Sequence, residues 1–204
     1  GPGGPTDVFA RLVAQRMSAT LGKDVIIENR AGAGGAIAAK MVSTAPADGY
    51  TLFLANTSTN AIIPAFAKTP DYDPEKQFTA IGIMANSFHA MVVRSDSPVK
   101  SVAAFVALAK SSPTKLDFGS AGHGNLTHLA GELFKIMTGT DMVMVHYRGA
   151  GPAMPDLISG RIQVMFDSVP SAIQQVRSGK LRPLGVNGIA SREALALSKQ
   201  FLRS

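Results

Sequence analysis

Three histidines are the side chains of this sequence best placed for proton transfer or metal binding. His123 and His128 lie five residues apart, one in a glycine-rich stretch and one in the helix-like run that follows; His146 closes a strand-like run. A metal site needs three or four converging ligands, and the neighbouring carboxylates are few (Glu132 and Asp167). Packing or hydrogen bonding beneath the loop is the stronger role for His128, and no metal is expected. His89 lies far from the other three in sequence. Cys 0 excludes a thiolate nucleophile, a disulfide and a zinc–thiolate centre. No GxSxG run supplies a serine elbow, and no GxxxxGK[ST] run supplies a nucleotide phosphate loop. Gly32-Ala33-Gly34-Gly35-Ala36-Ile37 follows a strand-like run as a dinucleotide fingerprint does. Ile37, however, stands where Gly or Ala is needed, and Asp48 precedes the next strand instead of ending it. An NAD-linked enzyme is a minor alternative resting on that stretch alone, and no cofactor is expected.

What recurs is a different chemistry. Glycine, serine and threonine stand where strands hand over to helices: Gly3-Gly4-Pro5-Thr6, residues 56–59, residues 119–127 and residues 148–152. Glycine lets a backbone approach a ligand closely, and the free N–H groups of a helix start carry partial positive charge. Together they make an anion pocket. Any one of these loops reads better as a plain turn; four of them together point to a site. Asp167 follows a strand and either accepts from a ligand or caps the loop to Pro170. Arg148 either contacts a carboxylate or lies on the surface.

The elements that would hold these loops alternate. Thr6 predicts a helix N-cap, with Val8, Leu12, Val13, Met17 and Leu21 at helical spacing until Gly22. Strands are expected over 25–27, 51–54, 80–85 and 90–94, with a helix to about Ser43 and a short one opening at 56–60. Further on, Ser101 caps a helix to Lys110, and strands over 116–118, 142–146, 162–166 and 181–186 alternate with helices over 126–137, about 152–160 and 170–177. Short buried strands alternating with helices argue for parallel βαβ units, in two α/β lobes with a seam near 94–98. Met137, Met142, Met144 and Met165 read as core filler.

Composition agrees. The 204 residues carry Lys+Arg 20 against Asp+Glu 14, a net +6, with 46% hydrophobic and 17% charged residues, which excludes a disordered chain. The basic residues recur singly, without a run and without aromatic interleaving (Trp 0, Tyr 3), so nucleic acid is a poor partner and small anions a better one. No apolar run approaches the ~20 residues of a membrane span. The opening Gly1-Pro2-Gly3-Gly4-Pro5, with no initiator Met and no leader pattern, reads as a start partway through a longer protein.

Several motifs, in order, carry a resemblance. Gly3-Gly4-Pro5-Thr6-Asp7, Glu28-Asn29-Arg30-Ala31-Gly32-Ala33-Gly34-Gly35 and Pro46-Ala47-Asp48-Gly49-Tyr50-Thr51-Leu52 come first. Tyr72-Asp73-Pro74, Phe118-Gly119-Ser120-Ala121-Gly122, His128-Leu129-Ala130-Gly131-Glu132-Leu133-Phe134, His146-Tyr147-Arg148-Gly149-Ala150-Gly151-Pro152-Ala153 and Val164-Met165-Phe166-Asp167-Ser168 follow. To about Val186 the chain resembles the Bug-type substrate-binding receptors of tripartite tricarboxylate transporters. The resemblance implies an α/β, two-lobed type 2 periplasmic-binding-protein (Venus-flytrap) fold that captures a small mono-, di- or tricarboxylate. It implies a periplasmic location, membrane components of the transporter as partners, no insertion of this chain in the membrane, and no catalysis. Carried over, Gly4, Pro5, Thr6 and Asp7 form one jaw, and Ser120, Gly122, Gly124 and Thr127 the other. Thr57, Ser58, Arg148, Gly149 and Asp167 line the rest. Lobe one would comprise residues 1–94, and lobe two residues 95–186. The family's signal peptide and first strand are expected before Gly1, and a longer segment after Val186. In its place residues 190–204 read as a basic helix, within an atypical segment 187–204 that leaves lobe one incomplete. A sensory or regulatory carboxylate-binding domain is the alternative.

Overall fold

The structure, a computed structural model, describes residues 1–187; the basic helix expected over 190–204 lies outside the described residues. Its sheet has five strands: β1 (His89–Arg94), β2 (Leu116–Ser120), β3 (Met142–His146), β4 (Val164–Ser168) and β5 (Leu181–Asn187), in the order β3-β2-β4-β1-β5. β2 pairs parallel to both β3 and β4. β1, however, runs antiparallel to β4 on one side and to β5 on the other. This corrects the all-parallel expectation, and it puts residues 89–94 in the sheet of the second half rather than with the first. The ladder decides, because β1 satisfies its backbone groups on both sides within this sheet.

Side chains alternate across the sheet and fill a core on each face. Val92 and Met165 face α6 (Ala150–Ser159) and α7 (Val169–Arg177), packing on Ala153, Leu157, Ala172 and Val176. Val93, Phe118, Val164 and Phe166 face α4 (Val102–Ser111) and α5 (Leu126–Thr138), packing on Phe105 and Phe134. Each such large side chain removed from water contributes about 1.5–3 kcal/mol. Helix ends follow their sequence signals. The Ser101 hydroxyl accepts from the Ala104 N–H at 3.1 Å, and Gly139 and Gly160 end α5 and α6 in left-handed conformation. Met142 and Met165 are buried as expected, whereas Met137, on the last turn of α5, is 76% exposed.

The first half supplies helices: α1 (Pro5–Leu21), α2 (Ala36–Ser43) and, after a π-type turn over Ser58–Ile62, α3 (Ile63–Phe66). Thr6 is not the cap of α1. Gly4 holds that position and Pro5 opens the helix, where a missing N–H costs nothing. The strands expected over 25–27, 51–54 and 80–85 do not form; the described residues give them no laddered neighbour. Ile26, Ile81 and Ile83 stand in solvent as a result. α1 packs against α7, which joins the halves. No helix among the described residues is long and apolar enough to cross a membrane.

α5 comes close to the sheet at Gly131, where an added Cβ would lie 2.2 Å from the Phe118 ring. Gly131→Ala is expected to destabilise the protein by about 1–3 kcal/mol through overpacking, read as a lower urea midpoint at unchanged slope; an unchanged midpoint would show that the ring yields freely.

Candidate functional site

The four loops come together where the two halves meet. Ahead of α1, Gly1, Pro2 and Gly3 lie on the loop that enters α6. A Cβ on Gly151 would stand 2.2 Å from the Pro2 carbonyl oxygen, and one on Gly149 (φ +121) 3.4 Å from the Gly1 backbone. Alongside, the turn at Gly34 abuts the loop that enters α5. A Cβ on Gly122 (φ +144) would lie 3.3 Å from the Gly34 backbone, and one on Gly34 (φ +65) 3.2 Å from the His123 carbonyl oxygen. The stretch resembling a dinucleotide fingerprint is thus spent on contact between the halves. A direct stitch crosses the same junction: the Leu126 N–H at the start of α5 donates to the Ser58 hydroxyl at 3.1 Å. The N-termini of α1, α5 and α6 therefore share one region, with their partial positive charges gathered there.

Many of the polar side chains here hold loops in shape. Asp7 is buried. One of its oxygens accepts from the Gly3 N–H and from Arg11 Nε, both at 3.0 Å, and the other from Asn29 Nδ2 at 2.7 Å. Burial pushes this carboxyl up, but the hydrogen bonds from Arg11, Asn29 and Gly3 outweigh it and bring its pKa down to about 2. Asp7 is an ionised clamp on the first loop. Thr6 Oγ1 accepts from Asn56 Nδ2 at 3.3 Å, and Asn56 Oδ1 in turn accepts from the Ser58 and Thr59 N–H groups. Ser58 is buried and Thr57 exposed.

In the second loop, Ser120 Oγ donates to the Gly122 carbonyl at 2.9 Å. Thr127 Oγ1 accepts from the Ala121 N–H at 2.9 Å and donates to Asn125 Oδ1 at 2.7 Å. Asn125 Oδ1 also caps α5 by accepting from the His128 N–H. The Gly124 N–H donates to His128 Nδ1 at 2.9 Å. His123, His128 and His146 do cluster, with ring centroids 4.9, 5.3 and 5.7 Å apart, yet no His, Cys, Asp or Glu group among the described residues is arranged to hold a metal ion.

Asp167 lies inside β4 instead of just after a strand, because β4 extends to Ser168. It is fully buried; its oxygens accept from the Ser168 N–H at 2.8 Å and from the Ser171 hydroxyl in the first turn of α7. Burial raises its pKa to about 6 against those two hydrogen bonds. Of the two roles open in the sequence, the observed contacts are those of a local cap. Arg148 is exposed. Gly4, Pro5, Gly124 and Gly149 contribute backbone at the loop–helix junctions.

Sequence reasoning missed Asn29 and Asn56 as organisers. The spacing of Asn56 before Ser58 and Thr59 is an Asx-turn signal that reveals the second; nothing local marks the first, whose partner is 22 residues away. It also missed Ser168, whose buried hydroxyl has no hydrogen-bond partner. An open cleft of about 630 Å³ lies elsewhere, lined by Asn60, Pro64, Asp71, Tyr72, Asp73 and Gln77 among others, and contains none of the expected site residues.

Residues 9–197 match the family model described as "Tripartite tricarboxylate transporter family receptor". The protein BugT of Bordetella pertussis is 33% identical over 186 residues, which is 91% of this chain and 57% of BugT. The chain thus spans little more than half the length of such curated relatives. Among solved structures, one described as a periplasmic transporter superposes with a TM-score of 0.89 at 40% identity, covering 99% of this chain and 70% of that one. Rpa4515 of R. palustris with adipate gives 0.90 at 35% identity, with 97% and 66% covered. MatC of Rhodopseudomonas palustris with bound malate gives 0.83 at 32%, with 92% and 64% covered.

The Asp7 clamp has a pH signature. A carboxyl held below its ordinary value contributes stability above about pH 4 and loses it as pH falls through about 2. Asp7→Asn is expected to cost about 1–2 kcal/mol at pH 7. In melts across a pH series, its deficit against the parent should shrink between pH 4 and pH 2; a constant deficit would mean that the charge is not what holds the turn.

Proposed function

Since the chain belongs to the tripartite tricarboxylate transporter receptor family, a family of receptors and not of enzymes, we propose that it is a periplasmic solute-binding receptor that captures a small carboxylate between two lobes and presents it to the membrane components of the transporter. The observation that carries this reading is the meeting of three helix N-termini through glycine backbone, across the junction of the two halves. Such a junction offers amide N–H groups and partial positive charge to an anion, and it opens and closes as the halves move. Relatives of the same family hold adipate and malate, both small dicarboxylates.

In this mechanism the first jaw is the Gly4-Pro5-Thr6-Asp7 turn and the second is the loop bearing Ser120, Gly122, Gly124 and Thr127. Asp7, Ser120 and Thr127 keep the loops in shape, so the amides they orient do the gripping. Thr57, exposed at the rim, and Arg148, exposed beside Gly149, supply side-chain contacts; Ser58 joins the jaws and Asp167 braces α7 behind them. A ligand that touches both jaws favours the closed arrangement by its differential affinity for it.

Millimolar adipate, malate and citrate are the first probes. At 100 times its dissociation constant a ligand adds about 2.7 kcal/mol, a rise in Tm of roughly 5–10 °C for a chain of this size. Arg148→Ala, a surface change, is expected to leave the unliganded melt alone and to weaken binding about tenfold in calorimetry. No heat and no shift with any of the three acids would overturn the proposal.

A further inference from the structure

We infer that His128 is a positioning residue of the second jaw: its unprotonated Nδ1 fastens the glycine loop, so that acid unfastens it. The inference rests on the carboxylate-binding reading of that loop for its functional consequence, and on this chain's own hydrogen bonds for its mechanism.

The Gly124 N–H donates to His128 Nδ1 at 2.9 Å, and Gly124 has a φ of +73. Four residues separate donor and acceptor, so the ring reaches back from the first turn of α5 to close the loop. The His128 N–H is itself taken by Asn125 Oδ1, and Thr127 holds the Ala121 N–H. Three side chains in succession thus pin the loop, and only the histidine changes its hydrogen-bonding character between pH 5 and 8. A neutral imidazole accepts at one nitrogen and donates at the other; an imidazolium donates at both. Protonation of His128 therefore sets a ring N–H against the Gly124 N–H, and the bond is lost. The same bond weighs against a metal, because the nitrogen that accepts from Gly124 has no lone pair left to give.

The surroundings reinforce the neutral form. The His123 ring, on the loop, is 4.9 Å from His128, and the His146 ring, at the end of β3, is 5.7 Å away. On α5 itself Glu132 and Lys135 face it, and these two are paired with each other at 3.1 Å. Burial first, then His123, His146 and Lys135, lower the pKa of His128, while Glu132 opposes them; burial and His123 lower that of His146. A depressed histidine gives its full contribution above about pH 6.5 and loses it as pH falls through the folded-state value. Protonation of His128, and with it the loss of the Gly124 bond, therefore falls on the acid side of neutrality.

The test compares the parent with His128→Asn, whose Oδ1 accepts from the Gly124 N–H at any pH. Malate affinity is measured by calorimetry from pH 7.5 to 5; titration of malate itself affects both proteins equally and drops out of their ratio. The variant should bind within about threefold of the parent at pH 7.5 and about tenfold more tightly than the parent at pH 5. Superimposable pH profiles would overturn the inference. Nitrogen-15 NMR of the unliganded parent gives a reading that needs neither ligand nor variant. His128 should carry its proton on Nε2 at pH 7.5, and exchange of the Gly124 amide should rise as the ring titrates. If that occurs while malate, adipate and citrate bind at no pH, the carboxylate reading fails and the fastening stands. If Gly124 is indifferent to the titration of His128, the fastening fails whatever binds.

Discussion

A side chain on Gly151 would collide with the carbonyl of Pro2, and one on Gly122 would press into the backbone of Gly34. The junction between the halves is therefore backbone against backbone, and this close approach is the constraint on which the rest of the site depends. Where glycines meet, the available chemistry is that of peptide N–H groups and helix ends. Side chains are left the task of orienting them. Asp7, Asn56, Ser120, Asn125 and Thr127 all do so, each through a hydrogen bond to its own loop or to the first turn of the adjoining helix. Oriented amides of this kind favour negative charge.

Two aspartates mark the electrostatic limits of this arrangement. Asp7 lies at the start of α1 with donors from three directions, and its carboxyl falls to about 2. Asp167 is buried in the central strand β4 with only Ser168 and Ser171 to solvate it, and its carboxyl climbs to about 6. The residue type is the same and the outcome opposite, because hydrogen bonds to the charged form outweigh burial in one place and not in the other.

The sequence was most readable where structure is local. Ser101, Gly22, Gly139 and Gly160 mark helix ends that the structure places where they were expected, since a cap is decided within one turn. The four loops were legible for the same reason, and the order of motifs around them pointed to the family. Strands were another matter. Residues 25–27, 51–54 and 80–85 have the apolar character of buried strands, but a strand exists only when a neighbour completes its ladder, and no neighbour is written in the segment itself. β1 misled in the converse way. Its sequence position groups it with the first half, while its partners, β4 and β5, lie far along the chain. Asp167 was misplaced by one such boundary: two further laddered residues turned an expected loop position into a buried one.

The antiparallel setting of β1 has a topological consequence. Its register pairs His89 with Asn187, the first residue of β1 with the last of β5. The two ends of this segment thus lie at adjoining points, and everything between is a closed excursion with its own two-faced core. A segment whose ends emerge side by side can be inserted into, or lifted out of, a host chain with little disturbance to either. Residues 89–187 have the form of a transplantable module, whose first and last strands lie side by side.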